Sequence, residues 1–454
     1  MFMRIYFSGI GGSGIGPLAQ IALDAGYSIC GSDAHESPLT KTLTEQGVDI
    51  SLQQDGDFLR EQHSLEPIDS FVFTAALPAD HPELVAAREL GIKTSKRDEL
   101  LAAILQEHNI QLIAIAGTHG KTTTTAMHVW VAKQLGLSVS YLVGSTLPFG
   151  PSGKLDLSSP YFFYECDEYD RNFLHFSPRL SVITSLDYDH PDIYASEADY
   201  IAAFRQFLSQ SQQIVAWRRD VSFLMRTEEP TDVVSEISGE WSKSVLSSAT
   251  TLQEDAEPLL SEIALAGAHN RKNGALVLHT ISLLTGTNLA DEQKRAILVT
   301  ALTSFPGTGR RFEKLADNLF SDYGHHPTEL AATLQLAHEI AERVVLVYQP
   351  HQNTRQHHVK NEYKNALTLA DKIYWLPTYL AREDASLDII TPEQFIDTLT
   401  NKEVAEPADL NEQLWNKISQ ARDDGALVLV MGAGTIDKWV RDQLSAEPKD
   451  TSTA

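Results

Sequence analysis

The sequence predicts an α/β protein of more than one domain, and three observations carry that expectation. A short apolar run passes through a glycine turn into a helical pattern at Arg4–Ser8 and Leu112–Ala116, and a further apolar run, Ala426–Met431, also meets a glycine turn. Buried parallel strands that feed crossover helices read this way. Several more strand-like runs end in polar clusters, as expected at the carboxyl edge of an open sheet. At 454 residues the chain is also too long for one ordinary core, which favours two or three domains.

In the first region, residues 1 to about 106, the strand Arg4–Ser8 meets Gly9-Ile-Gly11-Gly12-Ser13-Gly14-Ile-Gly16, and an apolar helix over Leu18–Ala25 follows. A second strand, Tyr27–Asp33, ends in an acid about 19 residues beyond Gly14. This is the Gly-x-Gly-x-x-Gly fingerprint in its strand–turn–helix setting. It indicates that a diphosphate approaches the backbone, without saying which nucleotide carries it. Strands at Ser70–Thr74 and near Lys93 and helices at Pro82–Leu90 and Arg97–Glu107 complete the unit. Thr74-Ala75 stands at a sheet edge where ligands bind.

The second region, about 107 to 306, holds the strongest motif. Leu112–Ala116 leads to Gly117-Thr118-His119-Gly120-Lys121-Thr122-Thr123, then a helix from about Thr122 to Leu135. Glycines let backbone N–H groups curl around phosphate oxygens, and the helix N-terminus adds partial positive charge. Lys121 would reach the β/γ-phosphates and the Thr122 hydroxyl would help hold Mg2+. The pattern is shortened, since Ile115 occupies the position of the first glycine. The strand-like Tyr161–Glu165 ends in Glu165-Cys-Asp167-Glu168-Tyr-Asp170, a crowd of carboxylates that a divalent cation would relieve. Another strand, Leu180–Leu186, runs into Asp187-Tyr-Asp189-His190-Pro191-Asp192, where His190 is placed to meet a metal or a γ-phosphate. A helix is expected over Ala198–Leu208 and short strands over 210–260. His269, Asn270 and Asn273 share one face of a helix that Gly267 opens; they suit either an adenine edge or a cap.

The last region, about 307 to 454, starts at Pro306-Gly307-Thr-Gly309-Arg310-Arg311-Phe312 and reads as a third α/β unit. Asp322-Tyr-Gly-His325-His326-Pro-Thr-Glu329 and Gln349-Pro-His351-Gln-Asn353-Thr354-Arg355 each follow a strand. Gly432-Ala-Gly434 is either a second phosphate turn or a tight corner.

Composition excludes several partners. Net charge is −25, from 36 Lys and Arg against 61 Asp and Glu. That disfavours nucleic acid or an anionic membrane and requires local cations, helix ends or metal ions for any phosphate ligand. No apolar run reaches the roughly 18 residues of a membrane span, and the N-terminus lacks signal-peptide features. The two cysteines, Cys30 and Cys166, fit a reducing cytoplasm and have no metal-site spacing.

Taken in order, the glycine fingerprint, Gly31-Ser-Asp33, Gly117–Thr123, Glu165-x-Asp-Glu168, Asp189-His190, His269-Asn-x-x-Asn273, Gly307–Phe312, Asp322–Glu329, Gln349–Arg355 and Gly432-Ala-Gly434 resemble the Mur ligase family, in particular its ligases that take UDP-N-acetylmuramate. The likeness covers nearly the whole chain, and it is the ordered set that is specific. It implies three domains: a Rossmann-like UDP-sugar domain at 1–106, a central ATP-binding phosphate-loop domain with a mixed sheet at 107–306, and a Rossmann-like amino-substrate domain at 307–454. It assigns UDP-sugar binding to Gly11, Gly12, Ser13, Gly14, Asp33, Thr74, Ala75 and His119. ATP binding falls to Gly117, Thr118, His119, Gly120, Lys121, Thr122, Thr123, Asn270, Asn273, Arg310, Arg311 and Asp322. Thr122, Glu165 and His190 become magnesium ligands. His325, His326, His351 and Arg355 fall to the amino substrate, with Lys121, His190, His326 and Arg355 in catalytic roles. His190 and His326 are the candidate bases. The implied reaction phosphorylates the lactyl carboxylate with ATP and passes the acyl phosphate to an amine. The acceptor is L-alanine or the tripeptide L-alanyl-γ-D-glutamyl-meso-diaminopimelate. The C-terminal motifs favour L-alanine. Tyr169-Asp170, Asn353-Thr354 and a start directly at the first strand favour the tripeptide, but the insertion common in tripeptide ligases is missing. The expected setting is cytoplasmic, as monomer or homodimer, without nucleic acid or membrane insertion. A catalytically inactive nucleotide-binding regulator of the same fold is the alternative, and joint retention of Lys121, Glu165 and His190 argues against it. A third reading, an NAD-dependent dehydrogenase with an appended NTPase, would require nicotinamide binding.

Overall fold

The computed structural model describes residues 3–74, 77–190, 193–226, 249–381 and 383–446. Three sheets follow one another along the chain. The first comprises β1 (Arg4–Ser8), β2 (Ser28–Ser32), β3 (Asp49–Ser51), β4 (Ser70–Phe73) and β5 (Lys93–Lys96), all parallel, in the order β3-β2-β1-β4-β5. The order reverses between β1 and β4, and this is where a doubly wound sheet opens a crevice at its carboxyl edge. The glycine turn leaves β1 at that point, and Thr74 follows β4. The helices are α1 (Gly16–Asp24), α2 (Pro38–Glu45), α3 (Asp57–Leu65), α4 (Pro82–Glu89) and α5 (Arg97–Glu107).

The second sheet contains β6 (Gln111–Ala116), β7 (Ser140–Leu142), β8 (Gly153–Lys154), β9 (Tyr161–Glu165), β10 (Leu180–Ile183), β11 (Ile214–Trp217) and β12 (Ala249–Leu252), ordered β12-β11-β10-β6-β9-β7-β8. It is mixed because β8 runs antiparallel to β7. Ile113 to Ala116 are fully buried, which is why β6 reads as an unbroken apolar run rather than an alternating one. The helices are α6 (Lys121–Gln134), α7 (Glu197–Ser209) and α8 (Arg218–Leu224), with Ala268–Thr285 and Glu292–Thr303 further along. The third sheet has β13 (Glu313–Ala316), β14 (Leu319–Asp322), β15 (Val344–Tyr348), β16 (Lys372–Trp375), β17 (Ala405–Pro407) and β18 (Leu427–Met431). Its order is β13-β14-β18-β15-β16-β17, with only the β13–β14 pair antiparallel.

The expectation of only short strands over 210–260 is corrected: α8 lies between β11 and β12 because Asp220, Val221, Phe223 and Leu224 turn one buried helical face inward. Residues 227–248 lie outside the described residues. The strand β8 has two residues, too few to leave a period-2 signal in the sequence. Gly432-Ala-Gly434 packs closely on the segment after β15. A side chain at Gly432 would meet the Gln349 carbonyl at 2.7 Å, and one at Gly434 would meet the Gln349 amide oxygen at 2.5 Å and Tyr379 at 2.7 Å.

The chain divides into two compact units, Met1–Pro258 with Gly274–Phe305, and Leu259–Asn273 with Pro306–Ala454. Within the first unit, one buried cluster runs from Ile5, Phe7 and Leu18 through Leu101 and Ile104 to Phe162, Phe173 and Phe204, so the first two sheets share a core. Polar contacts reinforce it. The Leu155 N–H donates to Asp24 at 2.9 Å, Tyr27 donates to Glu107, and the Tyr164 hydroxyl donates to Asp98. Cys30 and Cys166 are both buried, and burial pushes both thiols up, Cys30 to about 12.

Asp220 is 3% exposed, and its carboxylate accepts the Leu186 N–H at 3.0 Å. Burial raises its pKa from 3.8 to about 7. The folded chain therefore keeps this proton to higher pH than the unfolded chain, and unfolding releases it. This group's contribution to stability falls as pH climbs from about 4 to about 7 and is level above. Asp220→Asn should remove that dependence. In urea unfolding, the variant's midpoint should gain on the native one across that window and stay parallel above it.

Candidate active site

Three neighbouring strands of the second sheet, β10, β6 and β9, deliver the site at their carboxyl ends. From β6 comes the turn Gly117–Gly120. Gly117 has φ +130°, and a Cβ there would meet the Ser185 carbonyl and the Thr184 hydroxyl at 2.6 Å each. Gly120, φ +83°, sits in the left-handed region just before α6. Only glycine supplies both geometries without strain. The turn is tied to the extension of β10. The Thr118 N–H donates to the Ser185 carbonyl at 2.8 Å. The Thr118 hydroxyl donates to the Asp187 carbonyl at 2.8 Å, accepts the Asp187 N–H at 2.9 Å, and lies 2.8 Å from the Tyr200 hydroxyl. The His119 N–H donates to Ser185 Oγ at 3.1 Å, and the His119 ring lies 3.6 Å from Asp187. Thr118 thus anchors the loop with both its backbone N–H and its hydroxyl.

Lys121 Nζ donates to the Gly117 carbonyl at 2.6 Å and to Glu168 Oε2 at 2.7 Å. Burial alone would drive both groups to their neutral forms. Against that burial, Glu168 and then Asp167 hold Lys121 as the ammonium, above the ordinary lysine range. Burial raises the Glu168 carboxyl, with Lys121 opposing. Glu168 Oε1 is buried without a hydrogen-bond partner, 3.7 Å from His190 Nε2. His190 itself adopts φ +57°, and its N–H donates to its neighbour Asp189 at 2.7 Å. The Thr122 hydroxyl lies 2.9 Å from both carboxylate oxygens of Glu165, which also accepts the Gly144 N–H at 3.3 Å. Thr123 is half-buried on the same turn.

The acidic run after β9 is dispersed rather than pooled. Glu168 meets Lys121, Asp170 pairs with Lys96 at 2.6 Å, Asp167 accepts the Tyr169 N–H at 3.1 Å, and Glu165 accepts from Thr122. Much of the repulsion expected from the sequence is therefore relieved by protein groups. Among the described residues, no set of three His, Cys, Asp or Glu side chains is grouped to hold an ion by itself. Oxygen donors from Thr122 and Glu165, the orphaned Glu168 oxygen and the adjacent His190 fit a hard ion that takes its remaining ligands from phosphate and water.

In the first sheet, Asp33 folds back on the glycine turn. Its carboxylate accepts the Gly11 N–H at 2.8 Å and the His35 N–H at 3.1 Å. A side chain at Gly11 would strike Thr40 at 2.7 Å. Gly12 and Ser13 are exposed at the tip, Gly14 and Thr74 are half-buried, and Ala75 lies outside the described residues.

In the second unit, Arg271 forks onto Glu339 with two bonds of 2.8 Å, docking the start of helix Ala268–Thr285 on helix Pro327–Ile340. The Asn270 amide donates to the Ala266 carbonyl at 3.0 Å, while Asn273 is buried. His269 is half-buried beside them, and desolvation lowers it to about 4. Asp322 accepts the Phe312 N–H at 2.8 Å and the Gly324 N–H at 2.6 Å, and burial raises its pKa to about 6. It braces the turn that carries Arg310 and Arg311, whose guanidinium groups lie 4.6 and 5.1 Å from the Tyr323 ring centroid. Arg310 also donates to the Gly432 carbonyl at 2.8 Å. His325 is half-buried and lowered to about 4 by desolvation; Arg355 lies 2.5 Å from its Nε2, and the Tyr323 carbonyl is 3.2 Å from its Nδ1. Nε2 therefore accepts from Arg355, and Nδ1 carries the ring proton. His326 Nδ1 accepts the Thr328 N–H at 3.3 Å as a helix cap. That places its proton on Nε2 and argues against the base role read from the sequence. His351 stacks on Tyr379 at 5.7 Å.

Glu168 as the partner of Lys121, the Tyr200 anchor and the Tyr379 ring were not singled out as site residues. Glu168 had a signal, its place in the acidic run. The two tyrosines had none, because each reaches its partner through the fold rather than through a motif.

The glycine loop and the acid strand end beside it define a phosphate-loop enzyme, in a chain of three α/β sheets. Family descriptions match in chain order: "Mur ligase family, catalytic domain" over 4–109, "Mur ligase middle domain" over 115–281 and "Mur ligase, glutamate ligase domain" over 310–434. The chain is 32% identical over 474 residues to the UDP-N-acetylmuramate–L-alanine ligase of Agathobacter rectalis, covering 97% of this chain and 98% of that one. Two solved structures share its fold. One is the UDP-N-acetylmuramate–alanine ligase of Thermotoga maritima, with TM-score 0.71 and 24% identity, covering 98% of this chain and 100% of that one. The other is a murein peptide ligase of Psychrobacter arcticus, with TM-score 0.62 and 22% identity, covering 98% of each. The chain belongs to the Mur ligase family and is an ATP-dependent acid–amino acid ligase.

Gly117→Ala should force the phosphate turn away from Ser185, costing about 1–3 kcal/mol in stability. Thermal unfolding should show the loss, and nucleotide titration should show binding at least tenfold weaker.

Proposed function

We propose that this ligase joins the lactyl carboxylate of UDP-N-acetylmuramate to L-alanine. The observation that carries the reading is the convergence of Lys121, Glu168 and His190 beside the Thr122–Glu165 pair at adjoining strand ends. That arrangement suits phosphoryl transfer to a carboxylate. A carboxylate is a poor electrophile, so one of its oxygens attacks the γ-phosphorus of ATP and ADP leaves. The amine then attacks the acyl phosphate carbonyl, and the tetrahedral intermediate expels phosphate. Every species but the amine is anionic, and positioning with charge stabilisation supplies most of the catalysis.

Lys121 would leave the Gly117 carbonyl for the phosphates, with the first amides of α6 around it. Mg2+ would be held by Thr122, Glu165 and His190, and when bound it would offset phosphate charge. The glycine turn Gly11–Gly14, with Asp33, Thr74, Ala75 and His119, would take the UDP-sugar. Asn270 and Asn273 would meet the adenine, and Arg310, Arg311 and Asp322 would serve the ATP site. His325, His326, His351 and Arg355 would serve the amino substrate, with the Arg355 guanidinium offered to its carboxylate. The name of the 32%-identical relative supports L-alanine as acceptor. One observation favours the tripeptide instead. Asn353 is buried, and its amide holds Asp388 and Ile390, while Thr354 binds Glu383. Positions 353 and 354 are thus spent on fixing a loop over 379–390 rather than on presenting a charge to a small amino acid.

Phosphate release from ATP should require UDP-N-acetylmuramate together with L-alanine, and replacing L-alanine by the tripeptide should give less than a tenth of the rate. The reverse preference would move the assignment to the tripeptide ligase. No release with either acceptor, by folded protein, would remove the ligase reading in favour of an inactive nucleotide-binding regulator. Lys121→Ala should lower turnover by about 1000-fold or more while leaving the far-UV spectrum intact; near-native turnover would refute its role.

A further inference from the structure

A chain with net charge −25 needs a local cation wherever it receives a diphosphate. The cations of the first sheet and its helices are largely committed. Arg4 is buried against Gln62 and Glu66, Lys41 pairs with Glu36, Arg60 with Glu89, and Lys96 with Asp170, while Arg88 donates to the Ala79 carbonyl. Arg97 differs. Its Nη1 lies 3.4 Å from where a Gly14 side chain would begin, directly against the glycine turn. Its other terminal nitrogen is turned to Asp98 at 3.4 Å, and the side chain keeps 27% exposure. Asp98 is buried and receives the Tyr164 hydroxyl from β9, the strand that ends at Glu165. A guanidinium braced on one edge and open on the other suits a bidentate grip on phosphate oxygens.

We propose that Arg97 binds the diphosphate of the nucleotide sugar at the Gly11–Gly14 turn, with Asp98 and Tyr164 as its positioning residues. This rests on the UDP-sugar reading of that turn. Neutral uridine, which lacks phosphate, should not depend on Arg97, whereas UDP should.

The test is calorimetric titration of the full-length protein with UDP and with uridine, its phosphate loop first saturated with ADP. Arg97→Gln should weaken UDP by about 10- to 100-fold, the scale of a lost charge-assisted pair, and leave uridine and ADP binding within about twofold. Tyr164→Phe should weaken UDP several-fold in the same selective way. UDP affinity unchanged in Arg97→Gln, or UDP and uridine lost equally, would overturn the assignment. Should Arg97→Gln not fold, Arg97→Lys decides: several-fold weaker UDP with uridine unchanged supports the grip, and both unchanged removes it. A native protein that binds neither UDP nor uridine fails at the earlier step, removing the UDP-sugar reading and this proposal together. Native UDP binding with an indifferent Arg97 removes the proposal alone.

Discussion

The buried pair of Lys121 and Glu168 is the constraint on which the central site depends. A lysine must stand inside a turn made of backbone groups, close to the Gly117 carbonyl and shielded from water. Without an anion it would be driven neutral and would lose its affinity for phosphate. Glu168 supplies the anion from the next strand, and Glu168 is itself tolerable only because Lys121 is there. Removing either partner leaves an unpaired buried charge, which is costlier than losing the pair outright. This is why an acid must stand three residues beyond Glu165, where it can reach Lys121.

The second constraint is steric. Gly117 leaves no room for a Cβ against Ser185, Gly11 none against Thr40, and Gly432 none against Gln349. In each sheet a glycine lets the turn after a central strand lie on a neighbouring segment. The left-handed His190, Arg310 and Phe312 add backbone strain in the segments that carry polar side chains, a distribution associated with functional sites.

Much of this was legible in the chain. Buried parallel strands are continuous apolar runs, so β1, β6, β9, β15 and β18 stood out, and the glycine turns after β1 and β6 named the two phosphate-facing loops. Short or edge elements were less visible: β8 has two residues, and α8 is seven residues long and follows β11 with no turn between them. Side-chain partnerships were least legible. Asp322 and His326 read as ligand-facing polar groups, yet their atoms brace a turn and cap a helix. The sequence states that an acid is present; which N–H it meets is decided by strand order, since β14 adjoins β18 and β18 adjoins β15.

The burial of both cysteines makes the native molecule silent to thiol reagents. Cys166 lies between Glu165 and Asp167 with no exposed surface, so its sulfur becomes reachable only when that strand end opens. A single cysteine placed on the surface could then carry a fluorophore or spin label without altering the native residues, and slow modification of Cys166 would itself time the opening of the acid-bearing strand.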